Sequence, residues 1–111
     1  MTTQKHMRRE LDRMFDVLGD PYRRRILLLV SDANPRDEDE FSPEEIADEY
    51  DEVEFKPTDL IHRHLPKLAD AGYITWDRET ETIRRGPRFD EIEPLLKLIQ
   101  DHQDELPVGW P

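Results

Sequence analysis

The sequence predicts a mainly helical fold that carries one small β-hairpin. Its central stretch, from Pro57 to Arg85, predicts both kinds of structure. The first half repeats apolar residues at the spacing of a helix that buries one face, and Gly72 suits the left-handed C-cap that ends such a helix. After Gly72 the apolar period changes to two, as in a strand, and the charged turn 78–81 leads into a return strand. A helix followed by such a hairpin is the arrangement of a recognition helix and its wing, so we expect a winged helix-turn-helix domain.

Two helices are expected before this stretch. The first spans 5–18, where an apolar stripe faces the core, and Gly19 ends it. Asp20 is a suitable N-cap for the second helix, which runs to about Val30, and Pro21 can occupy its first position without losing a hydrogen bond. The arginines of its first turn are Arg23, Arg24 and Arg25. They are either solvated side chains whose stems cover apolar surface or phosphate contacts, and we favour the solvated interpretation.

A polar loop and a third helix lead into the central stretch. The acidic loop 32–40 lacks the alternating ligands and the central glycine of a calcium loop, so we expect it to be solvated. Ser42 is the N-cap of the third helix, Glu45 closes a capping box, and the helix is expected to end near Tyr50. A short helix, the connector 51–56 and a longer helix make the predicted helix-turn-helix.

Two prolines affect the helices on either side of the hairpin. Pro66 lies inside the predicted recognition helix, where a proline removes a hydrogen bond and costs about 3 kcal/mol, so we expect a kink or a break there. The last helix spans 88–104, and Pro94 is expected to mark its regular start. This helix is apolar on more than one edge. Packing on the domain explains one edge, whereas an interface between two copies of the chain explains both, so we predict a homodimer.

The predicted architecture is one domain over 1–111, with four helices, a strand, the wing turn, a second strand and a fifth helix. Helices 5–18 and 88–104 are the predicted dimerisation helices. Their predicted interface residues are Leu11, Met14, Leu95, Leu98 and Ile99.

The charge of the chain is unusual for a protein that binds DNA. Asp and Glu number 27 against 16 Lys and Arg, a net charge of -11, whereas a nucleic-acid-binding domain is ordinarily basic. One interpretation is that the protein avoids nucleic acid. The other is that it comes from a high-salt cytoplasm, where an acidic surface maintains solubility. We favour a halophilic source, because lysine is scarce and because 57–89 carries +1 against -10 for 32–56.

Composition also excludes several classes of function. Cysteine is absent, which excludes disulfides and thiolate metal sites and fits a reducing cytoplasm. The longest apolar run, 26–30, is far too short to span a bilayer. The sequence contains no nucleophile–base set, phosphate loop or paired-carboxylate motif. We therefore expect a cytoplasmic protein that is not an enzyme and has neither a membrane partner nor a cofactor.

Two segments resemble the ArsR-type winged-helix repressors. Residues 18–27, Leu-Gly-Asp-Pro-Tyr-Arg-Arg-Arg-Ile-Leu, resemble the start of that family's second helix, and 64–74 resembles its recognition helix running into the wing. The run 62–72, which begins His-Arg-His-Leu-Pro-Lys-Leu, is similar to one in small winged-helix proteins of halophilic archaea. The resemblance covers roughly 13–99 and implies a sequence-specific, DNA-binding transcriptional regulator.

The resemblance also implies which side chains meet DNA. One group would face the major groove from the recognition helix, and the other belongs to the wing. The first comprises Thr58, Asp59, His62, Arg63 and Lys67, and the second comprises Arg78, Arg84 and Arg85. Asp59 and Leu60 stand where that family favours hydroxyl residues, and a carboxylate repels phosphate but can accept from a cytosine amino group. The base sequence that is read therefore stays open.

Many ArsR-type members sense metals, and this sequence departs from their patterns. The cysteine-dependent site is excluded, and 90–92 lacks the histidine of the site on the last helix, of which His102 and Glu105 could supply half. His62 and His64 are two residues apart on a helix, so they do not converge on one ion. We expect DNA and a second copy of the chain as partners, without a metal or small-molecule effector. The alternative function is a winged-helix protein-interaction module without direct DNA binding.

Overall fold

The computed structural model describes residues 2–42, 44–46, 56–106 and 110–111, with side chains described from Arg9 onward. The helices are α1 (Thr2–Leu18), α2 (Pro21–Asp32), α3 (57–70) and α4 (Phe89–Asp101), and the strands are β1 (Arg36–Asp37), β2 (Ile74–Asp77) and β3 (Thr82–Arg85). Residues 44–46 are also helical, and 3₁₀ turns lie at Glu38–Phe41 and Gln103–Glu105. The predicted mainly helical architecture with a small β-hairpin is confirmed.

The corner between α1 and α2 forms as its capping residues predict. The Asp20 carboxylate accepts a hydrogen bond from the backbone N–H of Tyr22 at 2.8 Å, and Pro21 is the first residue of α2. The inner face of α2 is buried as expected, at Tyr22, Ile26, Leu29 and Val30, and Leu27 is buried beside them. The core therefore begins at α2, which α1 covers through Val17 and Leu18.

The start of the predicted third helix is only partly described. The Ser42 hydroxyl accepts from the backbone N–H of Glu45 at 3.3 Å, as an N-cap does. Phe41 and Ile46, on either side of the cap, are both fully buried. Pro43, the rest of the predicted helix and the connector 51–55 lie outside the described residues.

The sheet contains a strand that the sequence did not predict. β1 falls within the segment that was predicted to be a solvated loop, and it pairs antiparallel with β3 at Arg36↔Ile83 and Asp37↔Thr82. The strand order is β1-β3-β2, so the wing hairpin is paired on one edge. Arg36 also donates from Nε to the Leu29 carbonyl at 2.6 Å, which ties the strand to the end of α2.

α3 absorbs its internal proline by changing its helical pitch. Residues Pro57–Asp59 and Leu65–Asp70 are α-helical, and Leu60–His64 form a π-helical turn in which the Leu65 N–H bonds to the Leu60 carbonyl. Pro66 lacks an N–H, and its ring would crowd the carbonyl four residues earlier in a regular α-helix. The wider turn just before Pro66 relieves this conflict, and the chain stays helical through it. Of the two outcomes expected at Pro66, a kink or a break, the break is not observed.

Glycines fix how α3 meets the sheet and α4. Gly72 has φ +84°, and the bonds from Tyr73 N–H to Leu68 O and from Gly72 N–H to Ala69 O complete a Schellman cap. A Cβ on Gly86 would lie 2.4 Å from the Gly72 carbonyl oxygen, so only glycine fits there. The Arg88 N–H donates to that same carbonyl at 2.8 Å.

α4 is helical on both sides of Pro94. The helix starts at Phe89 and contains Pro94, so the prediction that Pro94 marks its start is wrong. Phe89, Ile92 and Leu96 are buried against the core, and Trp110 donates from Nε1 to Gln100 Oε1 at 2.6 Å. None of the described helices is long and apolar enough to cross a membrane.

Candidate DNA interface

The outer face of α3 is a polar strip. Thr58, His62 and Arg63 are exposed, and Asp59 is half-buried at its edge. The opposite side of the helix is buried through Leu60, His64, Leu65 and Leu68. His62 and Arg63 belong to the π-helical turn Leu60–His64, so this turn sets their spacing from Thr58. In the part of the chain that the structure describes, the Arg63 guanidinium makes no hydrogen bond or ion pair, so its donors are open to a ligand.

His64 belongs to the buried side of α3, away from His62. Its ring lies 5.1 Å from that of Tyr22, and its Nδ1 is 3.2 Å from Arg23 Nη1. Burial lowers the pKa of His64, and the nearby Asp20 carboxylate opposes that shift. A neutral imidazole whose Nδ1 accepts from Arg23 fits this environment. The sequence indicates that His64 lies on the buried side, because residues four apart share a helix face and His64 is four residues from both Leu60 and Leu68.

Lys67 is held by an ion pair across to α1. Its Nζ lies 2.7 Å from Asp16 Oδ2, and this contact lowers the pKa of the Asp16 carboxyl. Both side chains are accessible to solvent, so water and salt screen the pair. Lys67 would have to exchange this carboxylate for a phosphate in order to contact DNA.

The two wing arginines that follow each other in β3 are both exposed, but their guanidinium groups differ in their partners. Arg84 pairs with Thr75 in the hairpin, on the face away from Ile83, and is exposed. Arg85 instead donates from Nε to the Val30 carbonyl at 3.1 Å and from Nη2 to the Ser31 carbonyl at 2.7 Å. These are the last carbonyls of α2, so Arg85 caps that helix. The sequence already indicates the side on which Arg85 lies. Side chains alternate along a strand, so Arg85 shares the face of Ile83.

The arginines of α2 are neither solvated nor placed for phosphate. Arg23 is buried, and it donates from Nε to the Val17 carbonyl at 2.9 Å and from Nη2 to the Asp16 carbonyl at 3.0 Å. Arg24 donates from Nη1 to the Leu18 carbonyl at 2.8 Å, and Arg25 is also buried. The solvated interpretation is therefore wrong. Arg23 and Arg24 satisfy the last carbonyls of α1, where a cation also suits the helix dipole.

An apolar surface lies on α1 and α4. Leu11 and Leu98 of the predicted interface are 46% and 58% exposed, and Phe15, also on α1, is 55% exposed. The other three predicted interface residues are Met14, Leu95 and Ile99, which are partly buried against the core. Arg88 joins the two helices through ion pairs with Glu10 of α1 and Glu91 of α4.

The described residues contain no group of three or more His, Asp or Glu side chains that could hold a metal ion. His102 and Glu105 are 3.4 Å apart at the exposed end of α4. His62 and His64 lie on different faces of α3.

A family model for a domain of unknown function, DUF7344, matches residues 15–84, which are more than half of the chain. The chain belongs to the DUF7344 family. The matched span runs from α1 through most of β3 and so includes the polar strip and the hairpin. No curated protein is significantly similar to this DUF7344 member. A crystal structure of an ArsR family transcriptional regulator is similar to it at 23% identity with a TM-score of 0.50, covering 88% of this chain and 94% of that one. This similarity supports the fold that the sequence predicted.

Proposed function

We propose that this protein is a transcriptional regulator that binds double-stranded DNA sequence-specifically through the outer face of α3 and the wing. The observation that carries the proposal is the set of three exposed arginines on these two elements. They are Arg63, Arg78 and Arg84, and within the described residues none makes a hydrogen bond or an ion pair. The other support is the likeness in fold to an ArsR family transcriptional regulator.

The proposed roles follow from position and chemistry. Arg63 reads a guanine in the major groove, because its fork matches guanine O6 and N7. Thr58 and His62 flank it on the same strip, and Asp59 at the edge can accept from a cytosine amino group. Arg84 contacts the backbone. We leave Arg85 out of the interface because its guanidinium caps α2.

A homodimer through α1 and α4 is the second part of the proposal. The exposed Leu11, Phe15 and Leu98 would be covered in a two-fold interface that uses the same patch on both copies. Leu98→Glu is the sharpest test, because Leu98 is the most exposed of the three and its replacement leaves the core intact. We expect monomers by light scattering and weaker DNA binding, whereas Asp90→Asn, at an exposed position of the same helix, should leave the dimer unchanged. A wild-type protein that is monomeric at micromolar concentration would contradict the dimer.

A halophilic archaeal source is the third part, and the net charge of -11 supports it. Exposed carboxylates repel one another strongly when the Debye length is about 10 Å at 0.1 M salt, and weakly when it is about 3 Å at 1 M. We expect the helical circular dichroism signal and the melting temperature to fall as KCl is lowered from molar to about 0.1 M. A melting temperature independent of KCl would remove this part of the proposal.

The central experiment is selection of duplexes from a random pool in high KCl, followed by binding titrations with the selected duplex and a scrambled one. Sequence-specific binding predicts a reproducible motif and clear preference for the selected duplex. The acidic segment 32–56 favours one alternative, a protein-interaction module. Failure to enrich any motif, with a folded protein, would favour that module.

A further inference from the structure

Arg78, at the start of the wing turn, rests on an aromatic ring. Its guanidinium carbon lies 4.1 Å from the centre of the Trp76 ring, a distance at which a cation is attracted to the ring face. A stacked guanidinium keeps the N–H donors at its edge available. Within the described residues Arg78 makes no hydrogen bond or ion pair, so these donors are not used inside the protein.

Trp76 is itself fixed on two sides. It stands opposite Ile83 in the sheet and is partly buried against the core. Its Nε1 donates to Glu38 Oε2 at 2.9 Å, and the backbone N–H of Glu38 donates to the Glu81 carbonyl at 2.8 Å. The segment after β1 therefore holds the ring and the wing turn together, so the Arg78 guanidinium is carried on a rigid support.

The charges around the turn distinguish Arg78 from a simple phosphate contact. Arg78 is the one basic residue in the turn 78–81, which also contains Glu79 and Glu81. Carboxylates so close to a cation reduce its attraction to a phosphate backbone, and high salt reduces it further. A narrow minor groove concentrates negative potential at one place, which favours a single, fixed guanidinium.

We propose, on the basis of the proposed DNA-binding function, that Trp76 positions Arg78 to enter the DNA minor groove, so that the wing reads groove width beside the sequence read by α3. The preferred flanks are then A·T tracts, whose minor groove is narrow. Trp76 acts as a positioning residue, and Arg78 is the group that touches DNA.

The test uses one selected core sequence with three kinds of flank: A·T tracts, G·C pairs and alternating inosine·cytosine pairs. Inosine lacks the amino group that guanine places in the minor groove, so these flanks resemble A·T there while resembling G·C in the major groove. We expect the wild type to prefer A·T and inosine·cytosine flanks over G·C flanks by about tenfold. Arg78→Ala should lose this preference while still preferring the selected core. Arg84→Ala, the matched exposed arginine on the other face of the hairpin, should weaken binding to all three duplexes alike.

The positioning role of Trp76 is tested by its effect on the flank preference that Arg78 is proposed to provide. Trp76→Leu should reduce the flank preference by about threefold, the worth of an exposed cation–π contact, and Trp76→Phe by less. In the Arg78→Ala background Trp76→Leu should have no further effect on flank preference, whereas a general loss of wing structure would still lower affinity. This double variant separates positioning from stability.

The outcomes are distinguishable. If Arg78→Ala keeps the wild-type flank preference while Arg63→Ala loses the core preference, the minor-groove assignment is overturned and the proposed function stands. If Arg78→Ala abolishes the preference and Trp76→Leu does not change it, Trp76 has no positioning role. A wild type that binds none of the duplexes overturns both the inference and the proposed function.

Discussion

The arginines of this protein have different contacts in two regions. At the helix ends, Arg23, Arg24 and Arg85 donate to the last carbonyls of α1 and α2. On the outer face of α3 and the wing, Arg63 and Arg84 point into solvent. The formal charge is identical in the two regions. The difference is whether a helix ends within reach of the guanidinium, because a helix C-terminus offers carbonyls that have no partner within the helix.

Because of this difference, an acidic protein can carry exposed arginines that form no ion pair within its described residues. In a chain with this much Asp and Glu, exposed basic side chains would be expected to form ion pairs, as Lys67 does with Asp16. In the part of the chain that the structure describes, Arg63, Arg78 and Arg84 form no ion pair.

Removing a guanidinium from a helix end should cost stability. Arg23→Met keeps an apolar stem but removes the side-chain donor to the Val17 carbonyl and one of two donors to the Asp16 carbonyl, which keeps the Gly19 N–H. We expect a loss of about 3 kcal/mol in the free energy of unfolding. Arg84→Met, on the exposed face of the hairpin, should change it by about 0.5 kcal/mol or less. Denaturant unfolding in molar KCl, followed by circular dichroism, measures both. Equal stability of the two variants would show that the buried position of Arg23 has no structural importance.

Removing a guanidinium from the α3 face should cost affinity and leave stability unchanged. Arg63→Ala is expected to lose about 1–3 kcal/mol of binding free energy on the selected duplex and to relax preference at one base position. Lys97→Ala makes the same change of charge on α4, where Lys97 lies 3.7 Å from Glu93, and should bind as the wild type does. A titration of both variants against selected and scrambled duplexes decides the matter. Wild-type discrimination by Arg63→Ala would contradict the assignment of α3 as the reading element.

The sequence predicted the elements of this fold better than the roles of its arginines. Helix caps at Asp20, Ser42 and Gly72 rest on local chemistry, so they could be read from neighbouring residues. β1 could not, because a strand of two residues has no period and exists only through its pairing with β3. Pro66 marked the right place for an irregularity, but the choice of a π-helical turn over a break depends on the packing of α3 on the core.

Part of the geometry of the candidate site could have been predicted from the sequence. The alternation in β3 already assigns Arg85 to the core side with Ile83, and helical spacing assigns His64 to the side of Leu60. The role of Arg23 was not readable in this way, since the carbonyls it binds belong to another helix. An arginine on an amphipathic helix looks the same whether it meets water, phosphate or a helix end.

Lowering the pH should destabilise the fold through the buried His64, and not through the exposed face of α3. Because burial lowers the pKa of His64 below its ordinary value of about 6.5, the unfolded chain binds a proton that the folded chain resists. Stability is then fully present above pH about 6.5 and declines as the pH falls below it. The neighbouring Arg23 would repel an imidazolium, whereas Asp20, whose carboxylate lies 3.9 Å from Nε2, would partly compensate, so the effect is smaller than that of Arg23→Met.

The matched variants are His64→Gln, which can still accept from Arg23 but does not titrate, and His62→Gln on the exposed face. Unfolding midpoints are compared between pH about 7 and about 5, above the range in which most carboxyls titrate. We expect the midpoint of the wild type and of His62→Gln to fall more than that of His64→Gln. The same fall in all three proteins would assign the acid sensitivity to other groups.

Lys67 lies between the two groups, since its side chain is exposed but already paired. If Lys67 contacts phosphate in the complex, the Asp16 carboxylate competes with DNA for it. Asp16→Asn should then raise affinity by about two- to threefold, the scale of a surface ion pair, and the gain should be similar on selected and scrambled duplexes because a phosphate contact carries no sequence information. Asp12→Asn, one turn earlier on α1, removes the same charge from an exposed position and should give a smaller gain. In a Lys67→Ala background Asp16→Asn should give no more than Asp12→Asn does. Equal gains from the two single variants would mean that only net charge matters, and that Lys67 belongs with the arginines of the helix ends as a structural contact.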